Sequence, residues 1–281
     1  MSTFSILLTG ATGFIGKNLL PLLRERYAVT APRRDELNLL DVDAVQCFLR
    51  KGRFDAVIHA ANPTGHNSLD RPENLLENSM RVFLALERCA GDYGKMIYFG
   101  SGAEFGKHRP LAMISEDRFD EELPRDPYGI SRYLMQRLTC CHNNVINFRL
   151  FGCYGPGDAA HKLIPDIMRS IREHRPIKLR QNVVFDFLYV TDIFPVIEHC
   201  LTHGMQHSDY NVCSGKPVPI LEIAEEVRRQ MQSDLPIEVE RDAMGFSYTA
   251  SNDRLLAEMP HWCPVSLQTG IQNIVRSTQN V

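Results

Sequence analysis

The segment Thr9-Gly10-Ala11-Thr12-Gly13-Phe14-Ile15-Gly16 constrains this chain more than any other. An apolar run, Phe4 to Leu8, precedes it, and Leu19, Leu20, Leu22 and Leu23 follow with helical spacing, so it reads as strand, glycine-rich turn, helix. Glycines there permit a tight turn, let backbone approach a ligand and pack helix against strand, while free N–H groups at the helix start suit negative charge. A dinucleotide pyrophosphate is the ligand that such a turn takes.

The same rhythm continues. A short strand, Ala28 to Ala31, precedes a helix capped by Asp41 and running to about Lys51, and Ala56 to His59 reads as a third strand. A helix over about 72–89, a strand Lys95 to Phe99, a helix Pro127 to Cys141 and a strand Val145 to Leu150 extend the alternation. That pattern predicts an α/β protein with a Rossmann-type doubly wound parallel sheet. From Gly152 the pattern loosens: Gly155-Pro156-Gly157-Asp158 marks a loop, Leu163 to Ile171 a helix and Val183 to Tyr189 a strand. Tyr210 to Val212 and Ile237 to Glu240 read as strands, with a helix from Ile220 to Met231. The expected division is a dinucleotide-binding domain over 1–155, joined by a returning segment 183–213, and a smaller mixed substrate domain over 156–182 and 214–281. The polar stretch from Gly100 to Pro127 is too long for a tight turn and is expected to rim a substrate site.

Composition removes several function classes. The 281 residues, 44% apolar, are ordinary for a globular protein of one large or two small domains. A net charge of −3 with no basic run argues against nucleic acid, and no apolar stretch approaches the roughly 20 residues that cross a membrane. The first strand begins almost at once, so no leader segment is expected. Eight cysteines, without a CxxC pair and with Cys140 next to Cys141, read as small buried hydrophobes in a reducing compartment. A cytoplasmic protein is the expectation. His199, His203 and His207 recur every four residues, but Gly204 breaks the helix and no acid joins them, so no metal site is expected. Glu104, Glu116, Asp117, Asp120, Glu121 and Glu122 read as a solvated loop, with Glu104 near enough to Ser101 to touch a substrate.

A second motif, Tyr128-Gly129-Ile130-Ser131-Arg132, carries the chemistry. A hydride acceptor's new oxygen needs a proton, and a tyrosine can give it only if its pKa falls from about 10 toward neutrality. Tyr128 and Arg132 are four apart on a predicted helix, so both project to one face and the guanidinium can favour the phenolate. Ser101, just past a strand, stands at the C-terminal edge of the sheet, where doubly wound folds bind ligands. A surface Tyr and Arg at a helix start, with a turn serine, fits the same spacing.

The glycine segment, His59-Ala60-Ala61, Phe99-Gly100-Ser101-Gly102-Ala103-Glu104-Phe105-Gly106, Tyr128-x-x-x-Arg132 and Arg149-Leu150-Phe151-Gly152-x-Tyr154-Gly155-Pro156-Gly157 together resemble the extended short-chain dehydrogenase/reductase family. Phe187-Leu188-Tyr189-Val190-Thr191-Asp192 and Tyr210-Asn211-Val212-Cys213-Ser214-Gly215 are similar to its sheet-returning strand and the turn after it, so the resemblance covers nearly the whole chain. Members are nucleotide-sugar epimerases, 4,6-dehydratases and 4-ketoreductases with a Ser/Thr, Tyr, Lys triad. The resemblance implies that Ser101 and Tyr128 belong to that triad and that Arg132 occupies the lysine position. Arginine keeps the charge but is a planar fork, not a compact ammonium. It also implies cofactor contacts from Gly10, Thr12, Gly13, Phe14, Ile15, Gly16, Ala60, Ala61, Asn78, Tyr128 and Arg132. Where NAD-preferring members carry an acid after the second strand, this chain has Arg33 and Arg34, which suit the 2′-phosphate of NADP in preference to NAD. A solvated turn also explains them. The segment Arg34 to Asp41 is similar to that of nucleotide-sugar 4-ketoreductases such as GDP-fucose synthase and dTDP-4-dehydrorhamnose reductase.

Three positions bear on the reaction. Gly102 and Ala103 stand where the dehydratases have an acidic pair. Ala103 and Lys162, with His161 one residue away, stand where GDP-fucose synthase has its epimerising Cys and His. The resemblance therefore implies NADPH-dependent reduction of a nucleotide-linked 4-keto-6-deoxysugar in deoxysugar or polysaccharide biosynthesis. Ser101, Gly102, Ala103, Lys162, Leu163 and Arg180 are then the substrate contacts, Phe185 standing where many members have a phosphate-binding arginine. Members often dimerise through the tyrosine helix and its neighbour, which makes a homodimer with contacts from Leu134, Leu138, Leu84 and Leu86 the expectation. Two alternatives stay open: a 4-epimerase that retains NAD, and a non-catalytic dinucleotide-binding sensor or scaffold, motivated by Arg132.

Overall fold

A computed structural model describes residues 4–62 and 74–279 of the chain. It separates into two compact units, one holding residues up to 107 with 116–150 and 194–210, the other holding 108–115, 151–193 and 211 onward. In chain order the first unit carries β1 (Ser5–Thr9), α1 (Phe14–Arg24), β2 (Ala28–Thr30), α2 (Val42–Gly52), β3 (Ala56–His59), α3 (Leu75–Glu87) and β4 (Lys95–Ser101). β5 (Leu111–Ile114) belongs to the second unit, after which α4 (Pro127–Thr139) and β6 (Val145–Leu150) return to the first. The second unit continues with β7 (Gly152–Tyr154), α5 (Leu163–Arg172), β8 (Ile177–Leu179) and β9 (Val184–Tyr189). α6 (Ile193–Thr202) and β10 (Asp209–Val212) lead back to the first sheet. The second unit is completed by β11 (Pro217–Pro219), α7 (Ile220–Gln230), β12 (Ile237–Val239), β13 (Tyr248–Ala250), α8 (Asp253–Glu258) and α9 (Leu267–Gln279).

The first unit is built on a six-stranded sheet ordered β10-β6-β4-β3-β1-β2, its pairs from β2 to β6 all parallel. All four residues of β3 and all six of β6 are buried, as strands covered on both faces must be. Helix α1 supplies Gly16, Leu19 and Leu23 to this core. Asp41 caps α2 by accepting the Ala44 N–H at 3.0 Å, and the helix stops where Arg53 turns left-handed at φ 49°. Leu7, Val57, Phe83, Leu86, Met96 and Tyr98 form the centre of the packed interior.

The second unit has its own core. Ile164, Ile167, Met168 and Ile171 of α5 recur at helical spacing and pack with Ile223 and Val227 of α7 and Ile271 and Ile274 of α9. The expectation that Val183 to Tyr189 returns to the first sheet is corrected. β9 instead pairs with β7 and β13 in parallel and with β11 in antiparallel fashion. Val184, Phe185 and Phe187 are only half-buried, a pattern that suits a sheet with one covered face better than a doubly covered parallel one. β10 is the sixth strand of the first sheet.

Two smaller expectations are also corrected. All eight cysteines are free, but only Cys89, Cys200 and Cys213 are buried, while Cys47, Cys140, Cys141 and Cys263 are exposed. The stretch between Gly100 and Pro127 is not a plain loop, since it contains β5, which pairs with β13 within the second unit. Among the described residues no helix is long and apolar enough to cross a membrane.

Candidate active site

In the first sheet the strand order reverses between β1 and β3, and open α/β sheets bind ligands at such a switch point, beyond the carboxyl ends of the strands. β1 ends at Thr9 and β3 at His59, which pair in register, and the Thr9 hydroxyl meets His59 Nδ1 at 2.8 Å. Gly10 follows at φ +73°, a conformation that disfavours any side chain, and a Cβ there would overlap the backbone of Ala60 and Ala61. A Cβ on Gly16 would strike the Gly10 carbonyl. The turn closes with Gly13 N–H donating to the Gly10 carbonyl at 3.0 Å, and Gly13 then caps α1 without any side chain. The first turn of α1 holds no acidic residue and its N-cap makes no side-chain hydrogen bond, so neither offsets the positive end of the helix dipole. Gly10, Gly13, Gly16, Ala60 and Ala61 thus converge on one bare-backbone cradle, which fits a dinucleotide pyrophosphate. Thr12 is exposed beside it, and Phe14 and Ile15 open the helix.

The reactive side chains come from β4 and α4. Ser101 is the last residue of β4, and its hydroxyl accepts the Ala103 N–H at 3.2 Å. α4 starts on Pro127 after Asp126, whose carboxylate accepts the Gly129 N–H at 2.9 Å. A Cβ on Gly129 would come within 2.9 Å of the Ala103 carbonyl. That glycine lets the first turn of α4 close on the turn after β4, which brings Tyr128 to Ser101. The Arg132 guanidinium lies 5.1 Å from the Tyr128 ring centroid and is buried, its Nε without a hydrogen-bond partner. A second cation, the Lys107 ammonium, lies 5.4 Å from the same centroid.

Electrostatics follow from this arrangement. Burial would push the Tyr128 phenol up, but the Arg132 charge, a hydrogen bond from Ser101, the Lys107 charge and a hydrogen bond from Arg132 together hold it below the ordinary tyrosine value. Burial, and then the Arg132 charge, push His59 down to about 3, so its imidazole is neutral at physiological pH. A phenol held below its ordinary value gives up its proton, and its phenolate is held, more readily than in a free tyrosine.

Glu104 corrects the solvated-loop expectation. It is fully buried, accepts the Ser101 N–H at 3.0 Å and pairs with Arg149 at 2.7 Å. Asn147 donates to both of its oxygens at 3.2 Å. Glu116 is buried as well. Glu104 is therefore part of the support beneath Ser101, and the pairing of β4 with β6 is what brings Arg149 to it. The nearness of Glu104 to Ser101 was legible, as the Ser-x-x-Glu spacing of a capping box, but its pairing with Arg149 across the sheet and the approach of Lys107 to Tyr128 through a turn were not.

The other expected residues are placed as follows. Arg33 and Arg34 lie exposed after β2; Arg33 faces Asp35 at 3.6 Å and Glu36 at 3.8 Å, whereas Arg34 forms no ion pair among the described residues. Asn78 is half-buried in α3. Gly102 and Ala103 are buried in the turn after Ser101. In the second unit, exposed Lys162 precedes α5 and half-buried Leu163 begins it, and Arg180 is exposed just past β8. Of the four leucines expected at a dimer face, Leu86 is in the core and Leu138 packs against it, Leu84 is half-buried and Leu134 is exposed.

The fold and this site define a Rossmann-type enzyme that works with a nicotinamide dinucleotide. The chain belongs to the NAD dependent epimerase/dehydratase family, whose family model matches residues 6–213. Among curated relatives, GDP-6-deoxy-D-mannose reductase of Pseudomonas aeruginosa is 29% identical over 84% of this chain and 83% of that protein. CDP-abequose synthase of Salmonella muenchen is 24% identical over 96% of each. Among solved structures, RMD from Pseudomonas aeruginosa complexed with NADPH superposes with a TM-score of 0.81 at 25% identity, covering 99% of this chain and 98% of that one.

Proposed function

We propose that this chain reduces the keto group of a nucleotide-linked 4-keto-6-deoxysugar with NADPH. The observation that supports the reading is the Tyr128 ring with the buried Arg132 guanidinium 5.1 Å from its centroid and the buried Ser101 at the end of β4 beside it. When bound, the dinucleotide supplies the hydride to the ketone carbon. Tyr128 would give its phenolic proton to the ketone oxygen, so that hydride and proton together make an alcohol. Ser101 holds that oxygen beside the phenol, and Arg132 favours the phenolate left behind. Gly10, Thr12, Gly13, Phe14, Ile15 and Gly16 would hold the pyrophosphate, with Ala60, Ala61 and Asn78 beside the rest of the dinucleotide. Arg34 would meet the 2′-phosphate, because Arg33 is already engaged by Asp35 and Glu36. Lys162, Leu163 and Arg180 of the second unit would contact the sugar nucleotide.

Gly102 and Ala103 bring no carboxylate or thiol to the turn after Ser101, which favours plain reduction over dehydration or epimerisation. The names of the curated relatives, a GDP-6-deoxy-D-mannose reductase and a CDP-abequose synthase, support the substrate class. A homodimer would use the exposed side of α3 and α4, where Leu134 lies. The test mixes the protein with NADPH, and separately NADH, and follows cofactor oxidation against GDP-, dTDP-, UDP- and CDP-linked 4-keto-6-deoxysugars. Stoichiometric NADPH loss with one of them supports the reductase. Isomerisation of a nucleotide sugar without net cofactor loss would replace it with a 4-epimerase, and binding without any turnover would leave a sensor.

A further inference from the structure

The position at which the extended short-chain family carries a lysine is filled here by Arg132, and the first unit contains a lysine elsewhere that reaches the same ring. Gly106 stands at φ +80°, ψ +100°, and its N–H donates to the Ala103 carbonyl at 3.1 Å. That bond ties the residue before Lys107 to the same turn that presents Ser101. Glycine at that φ lets the chain swing out, so that the Lys107 ammonium ends 5.4 Å from the Tyr128 centroid. Arg132 reaches the ring from within α4, at 5.1 Å. Both distances are within the range of a cation held by an aromatic ring.

We propose that Lys107 is a second cation acting on Tyr128, sharing with Arg132 the stabilisation of the phenolate that one lysine provides in relatives. The division of labour follows from the chemistry of the two groups. The guanidinium is planar and buried, so it stacks beside the phenol at a fixed place. The ammonium is compact and exposed, on a flexible stem, so it can follow the developing negative charge. Solvent weakens its pull, and the effect on rate is therefore modest beside that of Arg132. Lys107 acts through Tyr128 and is a positioning residue in this sense. The proposal rests on the reading of Tyr128 as the acid.

The test reads Tyr128 directly, without any substrate. The ultraviolet tyrosinate absorbance of the full chain is titrated with pH in the wild type, Tyr128→Phe, Lys107→Met and Lys107→Arg. The expected result is an early step that vanishes in Tyr128→Phe, moves to higher pH in Lys107→Met and returns to place in Lys107→Arg. With an active substrate in hand, Lys107→Met should also lower kcat about three- to tenfold at neutral pH, shift the pH profile alkaline and leave KM for the dinucleotide unchanged. An early Tyr128 step that Lys107→Met does not move overturns the role of Lys107 alone. No early step in the wild type overturns both this role and the reading of Tyr128.

Discussion

Glu104 and Arg149 face each other at 2.7 Å with neither side chain exposed to solvent, and Arg149 holds Asp209 at 3.0 Å on its other side. The Arg149 guanidinium also lies 4.7 Å from the Phe105 ring centroid. The pair links β4, β6 and β10 beneath the turn that presents Ser101, because Glu104 also accepts the Ser101 N–H. Breaking one partner strands a buried charge, which costs about 3–5 kcal/mol. Glu104→Leu and Arg149→Met should each lower the unfolding free energy, measured by urea denaturation, by that order. The double variant Glu104→Leu/Arg149→Met should lose clearly less than their sum, and additivity in a double-mutant cycle would deny the coupling.

Gly10 has no room for a side chain. Gly10→Ala would force a Cβ into the Ala60–Ala61 backbone at a φ that alanine resists. Dinucleotide affinity should fall by at least tenfold, with a stability loss of about 1–3 kcal/mol. Gly91→Ala is the control, since a Cβ there meets nothing within 4 Å. Calorimetric titration with NADPH on both variants checks the contrast.

Tyr128 and Arg132 should separate in their kinetic signatures. Tyr128→Phe removes the proton donor and is expected to lower kcat by about 10²–10⁴ while NADPH still binds. Arg132→Met removes the nearest charge, so the remaining activity should need a higher pH. Arg132→Lys restores the charge and should recover most of the loss. Steady-state profiles across pH decide, and a Tyr128→Phe enzyme of undiminished kcat would remove the phenol from the chemistry.

His59 makes stability depend on pH with a defined sign. Its folded-state value is about 3 and its ordinary value 6.5, so the unfolded chain takes up a proton first. The contribution is whole above about 6.5 and is lost as pH falls from there toward 3, reaching about 4 kcal/mol at the lower end. His59→Gln should flatten that part of the curve relative to the wild type. Chemical denaturation at a series of pH values measures it.

Local signals carried much of this protein. The glycine turn, the apolar strands β1, β3, β4 and β6 and the helical spacing of Tyr128 and Arg132 are written in adjacent residues, because backbone conformation, burial and i,i+4 geometry act over a few positions. The doubly wound class followed from the alternation of those elements.

What the tertiary structure decided are the partners that meet across the sheet and through turns. The departure of β9 to a second sheet, the burial of Glu104 against Arg149, the neutral His59 beside Arg132 and the approach of Lys107 to Tyr128 join residues far apart in the chain. No local pattern encodes such meetings. Strand order and register bring the groups together, and whether a charge ends up buried depends on what folds over it.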